Sequence, residues 1–453
     1  MTAPAASGET RRIRRVLTLW DLLFYGIIVI QPTAPLPSFG VVASVARGHV
    51  ATTILIGMFA MVLTAVSYGR MASAYPTAGS AYTYVGRELH PHLGFLTGWS
   101  IILDYILNPT IGTIWCSKAA MNILPLPFWV WVIFFATVFT VVNLRGIRTT
   151  ARANAVLTIG MTAVLVAFFI TAIGYLVRHF GWGGLFSTQP FYDPNTFSWP
   201  LVSTGTSIAV LTYMGFDSIS TLSEDVENPR RNILLATVLL CVITGFLGCL
   251  EVYVGQLLWP DFKTFPDQDT AFVSAAGRAG GPALFHLMNF TLLVATIGSS
   301  LGAQLGAVRL LYAMGRDNAI PRGFFAYLDP VRNTPTYNIL LTGGACIVGA
   351  LSISYQTGAE LLNFGAFVAF MGVNLAAIAR YYWRSESRGL TSIGFNLLPP
   401  LAGFLVCAYI WWSLRTPSKL VGFAWLLLGL TYYAWRTNFF QRKIDLIPAV
   451  GDD

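Results

Sequence analysis

Residues 212–231 read "TYMGFDSISTLSEDVENPRR", and this stretch decides the fold class. A run of apolar residues stops there at Gly215, and the acid Asp217 follows it within two positions. In a soluble protein such a stretch is an ordinary loop. In a lipid bilayer, irregular backbone is tolerated only where it is buried in protein or lines a water-filled cavity. The meaning of the stretch therefore depends on the solvent around it.

The composition indicates a membrane protein. Of the 453 residues, 55% are hydrophobic and 11% are charged, whereas about a quarter of the residues in an average globular protein are charged. A membrane-spanning helix needs about 20 mostly apolar residues. Twelve such segments can be placed, near 17–45, 50–74, 93–121, 127–144, 153–177, 199–223, 232–258, 283–313, 336–353, 359–382, 396–414 and 420–439. The sequence therefore predicts an all-α membrane protein with twelve transmembrane helices.

Two of these segments are interrupted. In the first, "YGIIVIQPTAPLPSFG" (25–40) places Pro32, Pro35 and Pro37 within six residues, which removes three backbone donors and excludes a continuous α-helix. The sixth is interrupted at "YMGFDS" (213–218). Segments one and six are five apart, as expected for two inverted five-helix repeats, and transporters built this way bind substrate and ions at the broken helices. For either break alone, the alternative is a packing kink.

Three acids lie inside apolar segments. A charge at the bilayer centre costs about 2.5–3.5 kcal/mol on insertion scales, so each acid is a functional hypothesis. Asp217, at the sixth-segment break, is a candidate for binding and coupling, or else a carboxylate that only ties down the broken backbone. Asp104 shares a helix face with Asn108 and belongs either to a binding site or to a structural polar network. Glu251 is either a protonated core acid or a coupling residue.

An acidic group follows the sixth segment. Glu224, Asp225 and Glu227 stand beside Arg230 and Arg231. A salt-bridged inner gate is one interpretation, and a solvated acidic loop is the other.

The basic residues predict the orientation. With the N-terminus in the cytoplasm, 21 Lys and Arg residues fall on the inner side and 7 on the outer side, which satisfies the positive-inside rule. Both termini are then cytoplasmic. The predicted organisation is an N-terminal tail (1–16), a ten-helix core (17–382), two additional transmembrane helices (383–440) and a C-terminal tail (441–453). The net charge of +8 is spread between apolar segments, which argues against a nucleic-acid partner.

The sequence carries no motif of an enzyme. Phosphate-cradling loops, nucleophile elbows and zinc-binding helices are all missing from it. The five cysteines form no C-x-x-C pair, and His90 and His92 are too isolated for a metal site. We therefore expect no enzymatic activity, metal or cofactor.

Four stretches resemble the amino acid, polyamine and organocation (APC) superfamily of transporters. They are "YPTAGSAYTYVGRELHPHLGFLTGWS" (75–100), "GFDSISTLSEDVENPRRNI" (215–233), "RLLYAMGRDNAIP" (309–321) and "NFGAFVAFMGVNL" (363–375). Within the superfamily the chain is most similar to the bacterial putrescine importers. The resemblance implies the leucine-transporter fold, with a 5+5 inverted repeat and broken helices one and six.

The resemblance also implies roles for individual residues. Carbonyls between Leu211 and Met214 would hold the substrate amine, Phe216 would be an aromatic lid, and Asp217 would act in proton-dependent gating. The complete set of candidate substrate-binding residues is Gln31, Thr33, Ala34, Asp104, Asn108, Leu211, Tyr213, Met214, Phe216, Asp217 and Phe364. The candidate coupling and gating residues are Asp217, Glu224, Glu251, Ser299 and Ser300.

The chain departs from the family pattern at three places. Amino acid carriers have a Gly-rich turn where residues 32–34 read Pro-Thr-Ala, and proline offers no donor to a substrate carboxylate. Putrescine importers carry an acid at the position of Pro37, which weakens the diamine interpretation. Some proton-coupled members have a lysine where this chain has Met161, so coupling through that lysine is excluded. Coupling through Asp217, or through a sodium ion at the serines of the eighth segment, stays open.

The sequence therefore predicts a secondary active transporter of the plasma membrane. It would import a small amine-bearing solute, an amino acid or a polyamine such as putrescine, by alternating access. The expected partners are this substrate, a co-transported proton rather than sodium, and the lipid bilayer. A small-cation channel and an amine exchanger are the alternatives, and the absence of a repeated filter sequence argues against the channel.

Overall fold

The computed structural model describes residues 17–75, 80–146, 151–223, 226–316, 318–330, 334–385 and 389–437. Side chains are not described for residues 151–153 and 221. The two predicted tails lie outside the described residues.

The described residues are almost entirely helical. The helices are α1 (Leu19–Ile30), α2 (Phe39–Val45), α3 (Val50–Ala74), α4 (Ser80–Glu88), α5 (Pro91–Met121), α6 (Phe128–Leu144), α7 (Ala151–Phe180), α8 (Trp199–Ala209), α9 (Pro229–Leu258), α10 (Ala271–Arg316), α11 (Arg322–Phe325), α12 (Thr336–Ser352), α13 (Tyr355–Ile378), α14 (Leu390–Ser392), α15 (Leu398–Trp412) and α16 (Thr416–Arg436). Tight helical turns extend α8 over Val210–Tyr213 and Phe216–Leu222, and wider turns follow α13 and α14.

Each of the predicted apolar segments contains helical structure. Six helical stretches in the described part of the chain are both long and apolar enough to cross a membrane, and they are Val50–Ala74, Asn154–Phe180, Pro229–Leu258, Ala271–Arg316, Tyr355–Trp383 and Leu390–Trp412. Helices α1, α6 and α12 are apolar but shorter. The all-helical membrane architecture is confirmed, and the number of twelve spans stays a prediction.

The first predicted break is present. Helix α1 ends at Ile30, and Gln31 adopts a left-handed backbone with φ 71°. Two donors of the turn that follows are satisfied within it, since Ala34 N donates to Gln31 O at 3.2 Å and Leu36 N donates to Thr33 O at 3.1 Å. Helical structure resumes at Phe39, where α2 begins.

The second break is present as well. After the tight turn Val210–Tyr213, the chain passes through Gly215 at φ 109°, a conformation that side chains other than glycine rarely adopt. A methyl group at Gly215 would lie 2.9 Å from Val29 Cγ1 of α1. The two breaks therefore face each other across a gap that only glycine fits.

The helices pack in two groups around these breaks. In one group α3 runs along α9, with Gly245 against Met58, and both contact the broken helices. In the other group α5 crosses α10 and α13 so closely that a methyl at Gly112 would overlap the Ser300 hydroxyl. The space between the groups is where a cavity can form.

The last two long helices pack against the core. The Trp99 and Trp425 rings stack at 4.8 Å, and each indole donates a hydrogen bond to the carbonyl of the other, at 2.9 and 3.0 Å. The Phe364 ring of α13 packs against the Trp411 ring of α15 with their centroids 4.9 Å apart. These contacts fix α15 and α16 to α5 and α13.

Candidate functional site

A cavity of about 1260 Å³ lies between the two helix groups. Its walls come from α1, the Met214–Ser218 break, the first half of α5, the first turns of α7 and the second half of α10. Phe370 and neighbouring residues of α13 complete it. Both broken helices therefore border one space, as predicted for a substrate site.

The cavity opens toward one end of the bundle. On α5 its lining runs from Phe95 to Asn108, and on α10 from Val294 to Arg316. Arg87 and Arg309 line the mouth. We call this the open end, and we call the opposite end, which holds α2 and the loops 181–198 and 259–270, the closed end.

Two carboxylates face the cavity. Asp104 of α5 and Asp217 of the second break both line it, are half-buried, and lie close enough to interact electrostatically. The backbone amides of Gly215, Asp217 and Ser218 interact with the Asp217 carboxyl group. The break therefore supplies donors that hold this carboxylate in place while it faces the cavity.

Aromatic rings surround the carboxylates. Tyr105 lies within electrostatic range of Asp104, Asp217 and Tyr25. Its ring rests on Gly306 of α10, where a methyl group would lie 2.7 Å from the tyrosine ring. An acidic site walled by electron-rich rings is suited to a cation, because rings attract cations at their faces.

Small residues of α10 form the opposite wall. Gly298 and Gly302 line the cavity, and a methyl group on either would meet open space. Ser299 lines it as well, whereas Ser300 turns toward Gly112 of α5. Gln31 ties the first break to this wall by donating to Ala295 O at 3.1 Å.

The structure brings six of the fourteen described candidate residues to the cavity. Those lining the cavity are Gln31, Asp104, Asn108, Met214, Asp217 and Ser299. Those outside it are Thr33, Ala34, Leu211, Tyr213, Phe216, Phe364, Glu251 and Ser300. Glu224 lies outside the described residues, and so does Asp225.

Three of the predicted aromatic and carbonyl groups are engaged with the protein itself in this conformation. Tyr213 is fully buried and donates to Ile54 O at 2.7 Å, so its side chain supports α3 instead of substrate. Phe364 is buried against α15 and α16. Of the carbonyls expected to hold an amine, that of Leu211 already accepts from Met214 N at 3.2 Å.

Phe216 does not form a lid in this conformation. Its side chain is fully buried and packs edge-on against Tyr68 at 5.4 Å and against Phe370 at 5.6 Å. Tyr68 and Phe370 line the cavity, so Phe216 supports the wall from behind. A lid would have to come from a movement of this cluster.

Several residues that line the cavity were not predicted from the sequence. They include Tyr25, Tyr68, Tyr82, Tyr105 and Phe370. The proximity of Tyr105 to Asp104 was the available signal. A further omission is Glu88, which is buried at the end of α4 and accepts from Arg380 and Arg384, each at 2.7 Å. This pair ties α4 to the end of α13.

Ion pairs and close contacts seal the closed end. Lys118 Nζ lies 3.0 Å from Asp267 and 3.8 Å from Asp269, in the loop before α10. Gly40 of α2 packs directly on the backbone of Gln268 in the same loop. The loop therefore covers α2 and is fixed to the end of α5.

The Lys118 contact predicts a pH-dependent stability. Burial and the neighbouring charge of Asp267 raise the pKa of Asp269 to about 6, while Lys118 opposes the shift. A pKa raised on folding makes the folded state less stable as pH rises toward that value, so near neutral pH the ionised Asp269 relies on Lys118. Lys118→Met should therefore lower the melting temperature more at about pH 7.5 than at about pH 5. The extra loss of unfolding free energy at the higher pH should be roughly 0–1 kcal/mol, as is typical of exposed ion pairs.

The matched control for this prediction is Lys263→Met. Lys263 lies in the same loop and forms no ion pair among the described residues. Its replacement should change the melting temperature equally at both pH values. An equal effect of Lys118→Met at both values would contradict the interpretation.

Comparison with solved structures supports the fold. The crystal structure of the Eremococcus coleocola manganese transporter mutant H236A superposes with a TM-score of 0.56 at 12% identity, over 97% of this chain and 98% of that one. At this identity the likeness shows the fold alone. The predicted leucine-transporter fold with broken helices one and six is confirmed.

Comparison with curated proteins supports the family. The low-affinity putrescine importer PlaP of Escherichia coli is 33% identical over 439 residues, 95% of this chain and 96% of that protein. The methylthioribose transporter of Bacillus subtilis is 26% identical over 98% of this chain and 97% of its own. The branched-chain amino acid permease BcaP of Lactococcus lactis is 24% identical over 96% and 97%.

The sequence-based expectations about class are confirmed by these relatives, which are transporters and not enzymes. A family model described as "Amino acid permease" matches residues 36–447. A multi-pass membrane transporter with a cavity between broken helices agrees with that match. The chain belongs to the amino acid permease family.

Proposed function

We propose that this permease imports a small cationic amine, an amino acid or a polyamine such as putrescine, across the plasma membrane by alternating access and in a proton-coupled manner. The observation that carries the proposal is a cavity bordered by both helix breaks, with Asp104 and Asp217 in its wall. The lining arginines stand at the mouth of the cavity, away from the breaks.

The carboxylates and rings support recognition of an amine. A charged nitrogen that binds at Asp217 would exchange the water molecules of its own hydration shell for charge-assisted hydrogen bonds. These are the strongest type of hydrogen bond in proteins. Tyr68 and Tyr105 flank the same position and can add cation–π attraction. Among the relatives described above, the putrescine importer is the one whose name fits such a site best.

The first break argues against strong binding of a carboxylate. Pro32 has no backbone donor, and the donors of Ala34 and Leu36 are already used inside the turn. A substrate carboxylate at this position would find few free N–H groups. An amine without an α-carboxylate is therefore the favoured substrate class, with cationic amino acids second.

The one-sided cavity supports alternating access. It is open at one end, while Gly40, Lys118 and Asp267 seal the other. A channel needs both ends open at once, so this arrangement favours a carrier. The excess of Lys and Arg on one side of the predicted spans supports a cytoplasmic location for the open end and for both termini.

Proteoliposomes containing the purified protein test the proposal. We expect saturable uptake of labelled putrescine, counterflow against unlabelled putrescine inside, and faster accumulation when the outer solution is acidic. Labelled ornithine, lysine and leucine complete the panel, with protein-free liposomes as the control.

The alternatives predict other results. Counterflow without net accumulation under any gradient would favour an exchanger. Flux without counterflow would favour a channel. Uptake of leucine without any uptake of putrescine, ornithine or lysine would contradict the assignment of Asp104 and Asp217 to a cationic substrate.

A further inference from the structure

Three glutamates are completely buried in the described part of the chain, and they differ in their partners. Glu88 is held by Arg380 and Arg384. Glu360 accepts from Arg415 Nε at 2.6 Å and from the Ser418 hydroxyl at 2.6 Å.

Glu251 differs from both. Neither of its carboxyl oxygens has a hydrogen-bond partner among the described residues, and its side chain is fully buried.

Glu251 lies on α9, a helix that packs against both helix breaks. Three residues before it on α9, a methyl at Gly248 would lie 3.3 Å from Pro35 of the first break and 3.2 Å from Thr212 of the second. Four residues after it, a methyl at Gly255 would lie 3.3 Å from the Phe39 ring of α2. Residues at this spacing share one face of a helix. Glu251 therefore faces the segment that joins the first break to α2.

A second unpartnered polar group lies in the same region. The hydroxyl oxygen of Thr212, also fully buried, has no partner among the described residues. Buried polar groups are nearly always satisfied in folded proteins. The two groups therefore mark a region beside the breaks whose polar contacts are incomplete in the present conformation.

An ionised carboxylate is strongly disfavoured at such a position. No arginine or hydrogen-bond donor among the described residues reaches its carboxyl oxygens, so no protein group would replace the hydration of the charge. A carboxyl group in this environment keeps its proton. In the present conformation Glu251 is then a neutral carboxylic acid.

The cover over Glu251 belongs to the closed end. Phe39 of α2 packs edge-on against Phe272 at 5.5 Å, and Gly40 packs on the Gln268 backbone. These elements must separate for the cavity to open at the closed end. Their separation would admit water to the face of α9 that carries Glu251.

We propose that Glu251 is a proton-binding site that exchanges its proton with the solution at the closed end: it is protonated while α2 covers it and ionised when that end opens. The proposal rests on the alternating-access function above and goes beyond it by naming a residue that binds and releases a proton. Closing the outer end takes up a proton from water, and opening returns it. Alkaline solution should therefore favour opening at the closed end.

Few other titratable groups face this site. Tyr213 and Cys249 are engaged with backbone carbonyls, Tyr253 bonds to the loop 181–198, and Asp269 faces Lys118. Residues 31–39, the α3 residues 50–67 and the α7 residues 160–174 contain no titratable side chain. His49, which precedes α3, is held by Ala46 O at 2.7 Å and by the backbone amide of Asp193 at 3.1 Å. A pH response from this region would therefore come mainly from Glu251.

The test follows the conformation of the purified protein as a function of pH. A fluorescent label at Ala313→Cys, in the cavity wall near the open end, reports exposure to the neutral quencher acrylamide. The native cysteines are buried, which limits background labelling. Quenching should fall as the pH rises, with the ratio of the two conformations changing by up to about tenfold per pH unit while Glu251 titrates.

Variants of Glu251 identify the group. Glu251→Gln should give quenching that stays high and loses most of its pH dependence, whereas Glu251→Asp should keep a pH dependence at a shifted midpoint. Glu360→Gln, a change of the buried glutamate that has partners, should respond to pH as the parent does. A parent without a pH response, or a Glu251→Gln variant with the parent's response, would overturn the proposal.

Infrared spectroscopy gives a second readout. The carbonyl stretch of a protonated, unbonded carboxyl group should be present in the parent at neutral pH and absent from Glu251→Gln. An identical band in the two proteins would also overturn the proposal. Neither measurement uses a substrate, so their failure and a failure of the uptake experiment are distinguishable.

Discussion

Replacing Asp217 by Asn should lower the rate of amine uptake in proteoliposomes about 10–100-fold, because a hydrogen bond to a charged group contributes roughly 1.5–3 kcal/mol. The amide keeps the size of the side chain but removes the negative charge. The backbone amides that now surround the carboxylate would face a group that is a weaker acceptor and is partly a donor. Both substrate affinity and the geometry of the break should suffer.

The measurement separates binding from coupling. If Asp217 binds the amine, both counterflow and gradient-driven accumulation should fall in Asp217→Asn. If it only couples protons, counterflow should persist while accumulation is lost. Asp261→Asn, at an aspartate that only caps the backbone of Lys263 in the loop 259–270, is the matched control. Unchanged accumulation in Asp217→Asn would remove the role we give to this residue.

The two helix breaks could be predicted because they follow from backbone chemistry. Three prolines in six residues remove hydrogen-bond donors wherever they occur, and a glycine beside an acid is unusual inside an apolar segment. Asp104 and Asp217 could be predicted for a related reason, since charges are rare in membrane helices. Local rules of this type identify a break or a charge without knowledge of tertiary packing.

The aromatic wall could not be predicted in the same way. The chain has 31 Phe and 19 Tyr residues, so an aromatic residue in a membrane helix carries little information by itself. Whether a ring lines a cavity depends on the helix that packs against it. Tyr105 faces the cavity because Gly306, on a helix about two hundred positions later in the chain, leaves room for its ring.

Side-chain direction explains why some candidate residues lie outside the cavity in this conformation. Family motifs correctly located the second break, but they did not tell whether Phe216 points into the cavity or against Tyr68. Ser299 and Ser300 are adjacent on α10, and neighbouring positions on a helix point about 100° apart. Ser299 therefore lines the cavity while Ser300 contacts α5.

Ion pairs between residues far apart in the sequence could not be predicted either. Lys118 and Asp267 are separated by 149 positions, and Glu88 and Arg380 by 292. Local charges instead suggest either an inner gate or a solvated acidic loop near Glu224, which lies outside the described residues. Opposite charges pair according to the topology of the bundle, and the sequence does not display that topology.

A second large effect is expected at Gly40, where α2 meets the loop before α10. A Cβ atom there would overlap the backbone carbonyl of Gln268 and the side chain of Ala271. Gly40→Val should therefore prevent the loop from covering α2. Overpacking of this type costs about 1–3 kcal/mol, which corresponds to a shift of roughly 5–150-fold between two conformations.

The predicted result is a carrier that favours opening at the closed end. In the Ala313→Cys quenching experiment, Gly40→Val should show lower exposure of the label, and its uptake should be strongly reduced because the cycle cannot return to the present conformation. Gly174→Val is the matched control, since a methyl group there meets open space. A Gly40→Val protein that melts earlier but shows the parent's quenching would mean that the contact only stabilises the fold. Lower quenching with an unchanged melting temperature would instead identify this contact as part of the outer gate, because only the balance between conformations would have moved.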